Sequence, residues 1–125
     1  MATVTPTVSR DVGERDGSSA LWTWALTTAN VDGAPLEWTE WADRTWAVTA
    51  ANWGGATLSI EGSNDGTNYH TMSNAAGGAA ATKTTDGILT TLETPRWVRP
   101  KLTTAGTAAT PVVTLIARRH TGMRR

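Results

Sequence analysis

The twenty residues Trp53-Gly-Gly-Ala-Thr-Leu-Ser-Ile-Glu-Gly-Ser-Asn-Asp-Gly-Thr-Asn-Tyr-His-Thr-Met72 write a β-hairpin, and they set the reading of the whole chain. Leu58 and Ile60 alternate with Thr57, Ser59 and Glu61. One side of this strand is therefore apolar and the other polar, the period-2 pattern of a half-buried strand. Gly62-Ser-Asn-Asp-Gly66 supplies residues that tolerate positive φ and cap their own backbone, so it predicts a tight turn, with Thr67 to Met72 returning. Nothing in the hairpin is chemically reactive. Asn64-Asp65-Gly66 offers a single carboxylate, where a tight calcium loop needs several, so it reads as a turn and no metal is expected.

Working outward, the remaining chain carries the same period. Ala20 to Thr28 sets Trp22, Trp24 and Leu26 on one face and Leu21, Thr23, Ala25 and Thr27 on the other. Asn30 to Pro35 is a turn, and Leu36 to Ala42 a short strand; Asp43-Arg44 then leads into Thr45 to Ala51, where Trp46, Val48 and Ala50 share a face. A helix over 35–46 is the alternative for that region, since Trp38, Trp41 and Trp46 stand near helical spacing. Ser73 to Asp86 is rich in Gly, Ala and Thr and holds no bulky apolar side chain, which predicts a long surface loop or flap. Gly87 to Glu93, Arg96 to Leu102 and Pro111 to Arg119 complete the strands. Pro100 cannot donate to a ladder and is expected at an edge or strand end. The last strand is apolar on both parities and is expected to be central or covered.

About seven or eight short antiparallel strands with turns at this spacing predict an all-β, jelly-roll-like β-sandwich. The 125 residues suit one domain. Residues 1–19 read as an extended N-terminal arm or loosely attached first strand, 20–119 as the sandwich, and 120–125 as a basic tail. Threonine fills 24 positions, and its β-branch suits the pleated surface. Cysteine is absent, so packing must hold the fold without disulfides or thiolate-bound metal. The first residues lack the basic start and apolar run of a signal peptide, and no window approaches a membrane span. A soluble protein made in the cytosol is expected, with no membrane partner.

Net charge is zero but two-ended: all eleven acids lie at or before Glu93, and seven bases with no acid follow from Arg96. Either the basic end meets acidic surface on a neighbour, or the sheets mix the two ends within one subunit. Zero net charge and the lack of evident stacking platforms argue against direct nucleic-acid binding. His70 and His120 stand fifty residues apart with no HExxH or HxH spacing, and no serine sits in a nucleophile elbow, so no catalytic residue is nominated and an enzyme is not expected.

Seven tryptophans and no phenylalanine make an unusual aromatic set. Each Trp buries on the order of 200 Å², worth a gross ~5 kcal/mol as an upper bound. Trp22, Trp24, Trp46 and Trp97 are expected in the core. Trp38, Trp41 and Trp53 sit beside turns and acids and are the expected partner contacts, together with Arg96, Arg99, Arg118, Arg119, Arg124 and Arg125.

Gly55-Ala-Thr-Leu-Ser-Ile-Glu-Gly-Ser-Asn-Asp-Gly-Thr-Asn-Tyr69, then Arg96-Trp-Val-Arg-Pro100 and the ending Val112-Val-Thr-Leu-Ile-Ala-Arg-Arg119, resemble small capsid decoration or cement proteins of tailed bacteriophages. The resemblance spans roughly residues 20 to 119. It implies a non-enzymatic virion protein without cofactor, on the outer surface of the capsid, that bridges neighbouring major capsid protein subunits and stabilises the head. It also implies self-association, as a dimer or trimer at local symmetry axes. Such hairpins often carry Trp where this chain has Tyr69, which is expected to keep a core role. Two other readings stay open: a carbohydrate-binding sandwich using Trp38, Trp41 and Trp53, and a tail or head-tail connector component.

Overall fold

The computed structural model describes residues 3–10, 19–37 and 41–119, and the described residues are built from strands and connections without a helix. The strands are β1 (Thr7–Arg10), β2 (Ser19–Ala25), β3 (Leu36–Glu37), β4 (Trp41–Ala50), β5 (Thr57–Ser63), β6 (His70–Thr71), β7 (Thr82–Lys83), β8 (Gly87–Leu89), β9 (Trp97–Thr104) and β10 (Pro111–Arg119). They form two sheets, in the orders β1-β2-β10-β4-β8 and β3-β9-β5-β6, with β7 also pairing β5. Every strand pair is antiparallel. From β2 to β5 the chain changes sheet at each connection, and it does so again from β8 to β10. This is the double Greek-key wiring of a jelly-roll sandwich, as the turn spacing predicted.

The core lies between the sheets and follows the predicted parities. Trp22, Trp24, Leu26, Trp46, Val48, Leu58 and Ile60 are all buried. Val113 pairs across the sheet with Trp24 and Val48, and Leu115 with Trp22 and Trp46. Trp24 and Trp46 therefore lie on different rows and on opposite sides of β10. Their rings meet above it, with centroids 5.8 Å apart and planes at 24°. The Trp24 indole N–H, which burial would otherwise leave unpaired, donates to the Ala34 carbonyl at 3.1 Å and ties the first turn to the core.

Several expectations are corrected. The helix over 35–46 does not form: Leu36–Glu37 lies in one sheet and Trp41–Ala50 in the other, with Asp43-Arg44 inside a strand. The stretch from Ser73 to Asp86 is not a free flap. It contributes β7, it is bridged at Ser73 to Ala80 and at Asn74 to Thr91, and it sends Ala81 fully into the core. A methyl group suffices there because the Ala81 backbone lies against β5 and Met72, giving its carbonyl to the Ile60 N–H at 3.0 Å and its N–H to Met72 at 2.8 Å.

Pro100 is neither at an edge nor at a strand end; it stands in the middle of β9, between β3 and β5. The missing N–H falls on the flank facing Gly33, where the neighbour is an isolated bridge, so a single ladder bond is forgone. A Cβ on Gly33 would come within 2.7 Å of the Pro100 ring, so only glycine fits opposite it. The last strand, β10, is central in its sheet as expected, but its second apolar side faces outward, with Val112 exposed.

Residues 3–10 of the arm dock as an edge: Thr7–Arg10 pairs β2, and Val4 exchanges backbone bonds with Asp32 and Ala34. Two short elements, β1 in the arm and β7 inside the expected surface loop, raise the strand number above the seven or eight expected, while β3, β6 and β8 are shorter than the strands expected at 36–42, 67–72 and 87–93; the two residues of β7 carry too little periodicity to be seen in sequence.

Trp24→Ala is expected to lower the unfolding free energy by about 3–5 kcal/mol, from lost burial and the cavity left behind. Ile88→Ala, at a side chain that is 71% exposed, should stay within about 0.5 kcal/mol of the parent. Urea denaturation followed by circular dichroism checks both.

Candidate interaction surface

In β9 the even positions Val98, Pro100 and Leu102 point into the core, so Trp97, Arg99 and Lys101 face outward. Each sits opposite a residue of β5: Trp97 opposite Ser63, Arg99 opposite Glu61, Lys101 opposite Ser59. The Arg99 guanidinium reaches Glu61 Oε1 at 2.9 Å and lies 3.9 Å from the centre of the Tyr69 ring. It therefore satisfies a carboxylate that is mostly buried and roofs an aromatic side chain at once. Arg96 pairs with Glu37 and lies 5.6 Å from the centre of the Trp97 ring. Lys101 faces Asp32 at 3.6 Å. The result is a band of alternating arginine, aromatic and carboxylate groups across the outer side of the β3-β9-β5-β6 sheet.

This band answers the question of the two-ended charge. Three of the seven bases after Glu93 find acids of the first half of the chain within the same subunit, because β9 lies between β3 and β5. The more exposed pairs, Arg96–Glu37 and Lys101–Asp32, add little stability and chiefly hold side chains in place, whereas the Arg99–Glu61 pair is mostly buried.

The hairpin turn beside the band is locked by Asp65. Its Oδ1 accepts the Ser63 hydroxyl at 2.9 Å and the N–H groups of Thr67 and Asn68 at 2.8 Å each, while Oδ2 accepts from the Asn68 amide at 2.8 Å. These bonds favour the charged form and hold its pKa well below the usual carboxylate range, the Asn68 N–H contributing most. Gly66 follows at φ 77°, its N–H bound to Ser63 Oγ, and its position brings it against the Trp97 indole. A shallow groove of about 500 Å³ runs alongside between β6 and Pro95. Its one carboxylate, Glu93, accepts the Ser73 N–H at 2.7 Å, which lowers its pKa. Among the described residues no three potential metal-ligating side chains cluster.

The predicted contact residues separate. Arg96 and Arg99 come together in the band. Trp53 lies elsewhere, half-buried against the core, its indole N–H donating to Asp86 Oδ1 at 2.8 Å. Asp86 also accepts the Ala50 N–H at 3.0 Å, and the Trp53 bond leads in lowering its pKa. Trp53 thus clamps the end of β4. Arg118 is exposed near the end of the other sheet. Trp41 and Arg119 are backbone partners in the β4–β10 ladder. Trp38, Arg124 and Arg125 lie outside the described residues.

Two aromatic residues expected in the core belong to this surface. Trp97 shares its parity with Arg99, and that shared parity in the sequence was the signal that it faces outward. Tyr69 is half-buried on the outer side under Arg99, and burial raises the pKa of its hydroxyl. Its place under an arginine thirty residues away had no local signature.

No family model matches the chain, and no curated protein matches it. Among solved structures, the crystal structure of protein NMB1881 from Neisseria meningitidis is similar at 11% identity and a TM-score of 0.38, over 92% of this chain and 84% of that one.

Arg99→Ala is expected to destabilise the fold by about 1–3 kcal/mol, since it strands a mostly buried carboxylate. Arg96→Ala, whose pair is 56% and 42% exposed, should cost under about 1 kcal/mol. Urea titration of the two variants checks the order.

Because the folded-state pKa of Asp65 is depressed, its contribution is present above the ordinary value of 3.8 and fades as pH falls below it. Asp65→Asn should therefore be less stable than the parent at neutral pH, with the gap narrowing below about pH 4 in stability curves measured across pH.

Proposed function

We propose that this chain is a non-enzymatic virion structural protein of a tailed bacteriophage. It binds the outer surface of the capsid, bridges neighbouring major capsid protein subunits and stabilises the head. The observation that carries this reading is the preordered band of Arg96, Trp97, Arg99 and Tyr69. Arginine and aromatic side chains dominate the binding energy of protein interfaces. Here they are held in place by Glu37 and Glu61 before any partner arrives, which lowers the entropy lost on docking. The segments that resemble capsid decoration proteins supply this band: the 55–69 hairpin contributes Glu61 and Tyr69, and the Arg96–Pro100 strand the rest. A rigid jelly-roll carrying such a surface suits repeated, individually weak contacts, which avidity on a shell converts into tight attachment.

The protein should co-sediment with expanded, undecorated capsid shells and raise their resistance to heat. Trp97→Ala with Arg96→Ala should reduce shell binding at least about ten-fold, a loss of about 1.4 kcal/mol per site. Shells that neither bind the protein nor gain heat resistance would overturn the proposal.

A further inference from the structure

The chain contains four Asp-Gly steps, at 16–17, 32–33, 65–66 and 86–87, and the last three lie among the described residues. Asp-Gly is among the sequences most open to isomerisation, because glycine has no side chain to hinder a ring closing through its own nitrogen. In that reaction the glycine nitrogen bonds to the aspartate Cγ, and the amide proton and a carboxyl hydroxyl leave as water. Water then reopens the resulting succinimide at the main-chain carbonyl, so that the chain runs on through the side-chain carboxyl as isoaspartate. One water leaves and one returns, and no oxidant, reductant or co-reactant is consumed. The carboxyl must be protonated, so that it can release hydroxyl, and Cγ must swing onto the nitrogen in an attack geometry.

At Asp65-Gly66 both requirements are opposed. Asp65 is exposed, so exclusion of water does not protect it. Its carboxylate is caged by donors: Oδ1 takes the Ser63 hydroxyl at 2.9 Å and the Thr67 and Asn68 N–H groups at 2.8 Å, and Oδ2 takes the Asn68 amide at 2.8 Å. These donors favour the ionised form and pin both oxygens, and ring closure would have to surrender them. The attacking nitrogen is held as well, since the Gly66 N–H donates to Ser63 Oγ at 2.9 Å. Ser63 thus grips both reacting groups, and it is itself buried as the last residue of β5. The other described steps are each held on one side: the Gly33 N–H donates to the Pro100 carbonyl at 2.9 Å, and Asp86 Oδ1 accepts from Trp53 and Ala50.

We propose that Asp65-Gly66 is a latent isomerisation site kept closed by this cage, and that Ser63 is the residue whose loss opens it. The site bears on the surface described above. Isoaspartate lengthens the main chain, and here the extra carbon would fall between Asn64, whose Oδ1 accepts the Arg96 N–H at 3.3 Å, and Gly66, which lies against the Trp97 indole. The cage therefore keeps the start of β9 hitched to the hairpin over time. The inference concerns the turn alone and holds whatever partner the band receives.

The test is prolonged incubation of the purified full chain at mildly acidic pH and physiological temperature, both folded and in guanidinium chloride. Trypsin then releases residues 45–83, in which Asp65 is the sole aspartate. Isoaspartate in that peptide is recognised by shifted retention and by electron-transfer fragmentation; it brings no change in mass, which separates it from asparagine deamidation. The folded parent should form it at least about ten-fold more slowly than the unfolded chain, and Ser63→Ala should raise the folded rate at least about three-fold. Asn68→Ala, which removes the donor to Oδ2, should fall between parent and Ser63→Ala. Near-ultraviolet circular dichroism of the tryptophans verifies that each variant is folded; should Ser63→Ala fail to fold, Asn68→Ala decides. A folded parent that isomerises at Asp65 as fast as the unfolded chain would overturn the proposal. Folded variants that are both as resistant as the parent would do the same, because the cage would then contribute nothing.

Discussion

The stacking of Trp24 on Trp46 above β10 is the interaction on which the rest of the molecule depends. It joins β2 and β4, which never touch through hydrogen bonds, by closing over Val113 and Leu115 of the strand between them. With no cysteine and no phenylalanine available, these two fully buried indoles supply the bulk that keeps the sheets apart and in register. The Trp24 N–H adds direction: its bond to Ala34 fixes the turn that leads to β3, and through Gly33 the path of the chain against Pro100.

Once the sheets are so placed, charge distribution follows from wiring. The bases of β9 are separated in sequence from Asp32, Glu37 and Glu61, yet the strand order sets β9 between the elements that carry them. The two-ended sequence becomes a locally neutral surface. Its arginines are held in extended, ordered positions, and the aromatic rings of Tyr69 and Trp97 lie beneath or beside them. The exposed Arg96–Glu37 pair contributes little to stability, while the mostly buried Arg99–Glu61 pair contributes more.

The two outer faces differ in chemistry. The outer side of β9 and β5 carries arginine, aromatic and carboxylate groups in a fixed arrangement, whereas the outward positions of β2 from Leu21 to Ala25 and of β10 from Val112 to Ile116 are uncharged. Both follow from the strand order, which sets the paired acids and bases on one sheet only.

Legibility in the sequence tracks the length of the element. The alternation in 20–28, 45–51, 57–61 and 111–119 was enough to determine an all-β sandwich, its core parities and the Asp65 turn, because period-2 burial and turn chemistry are local properties. Trp97 was expected in the core and faces outward, although its shared parity with Arg99 carried that signal. Tertiary structure alone decided that Leu36–Glu37 and Trp41–Ala50 belong to different sheets, that Ala81 is core, that Trp53 clamps Asp86, and that Arg99 roofs Tyr69. Those outcomes depend on which strands become neighbours, and neighbours are chosen by the packing of the whole core, which no single stretch of sequence encodes.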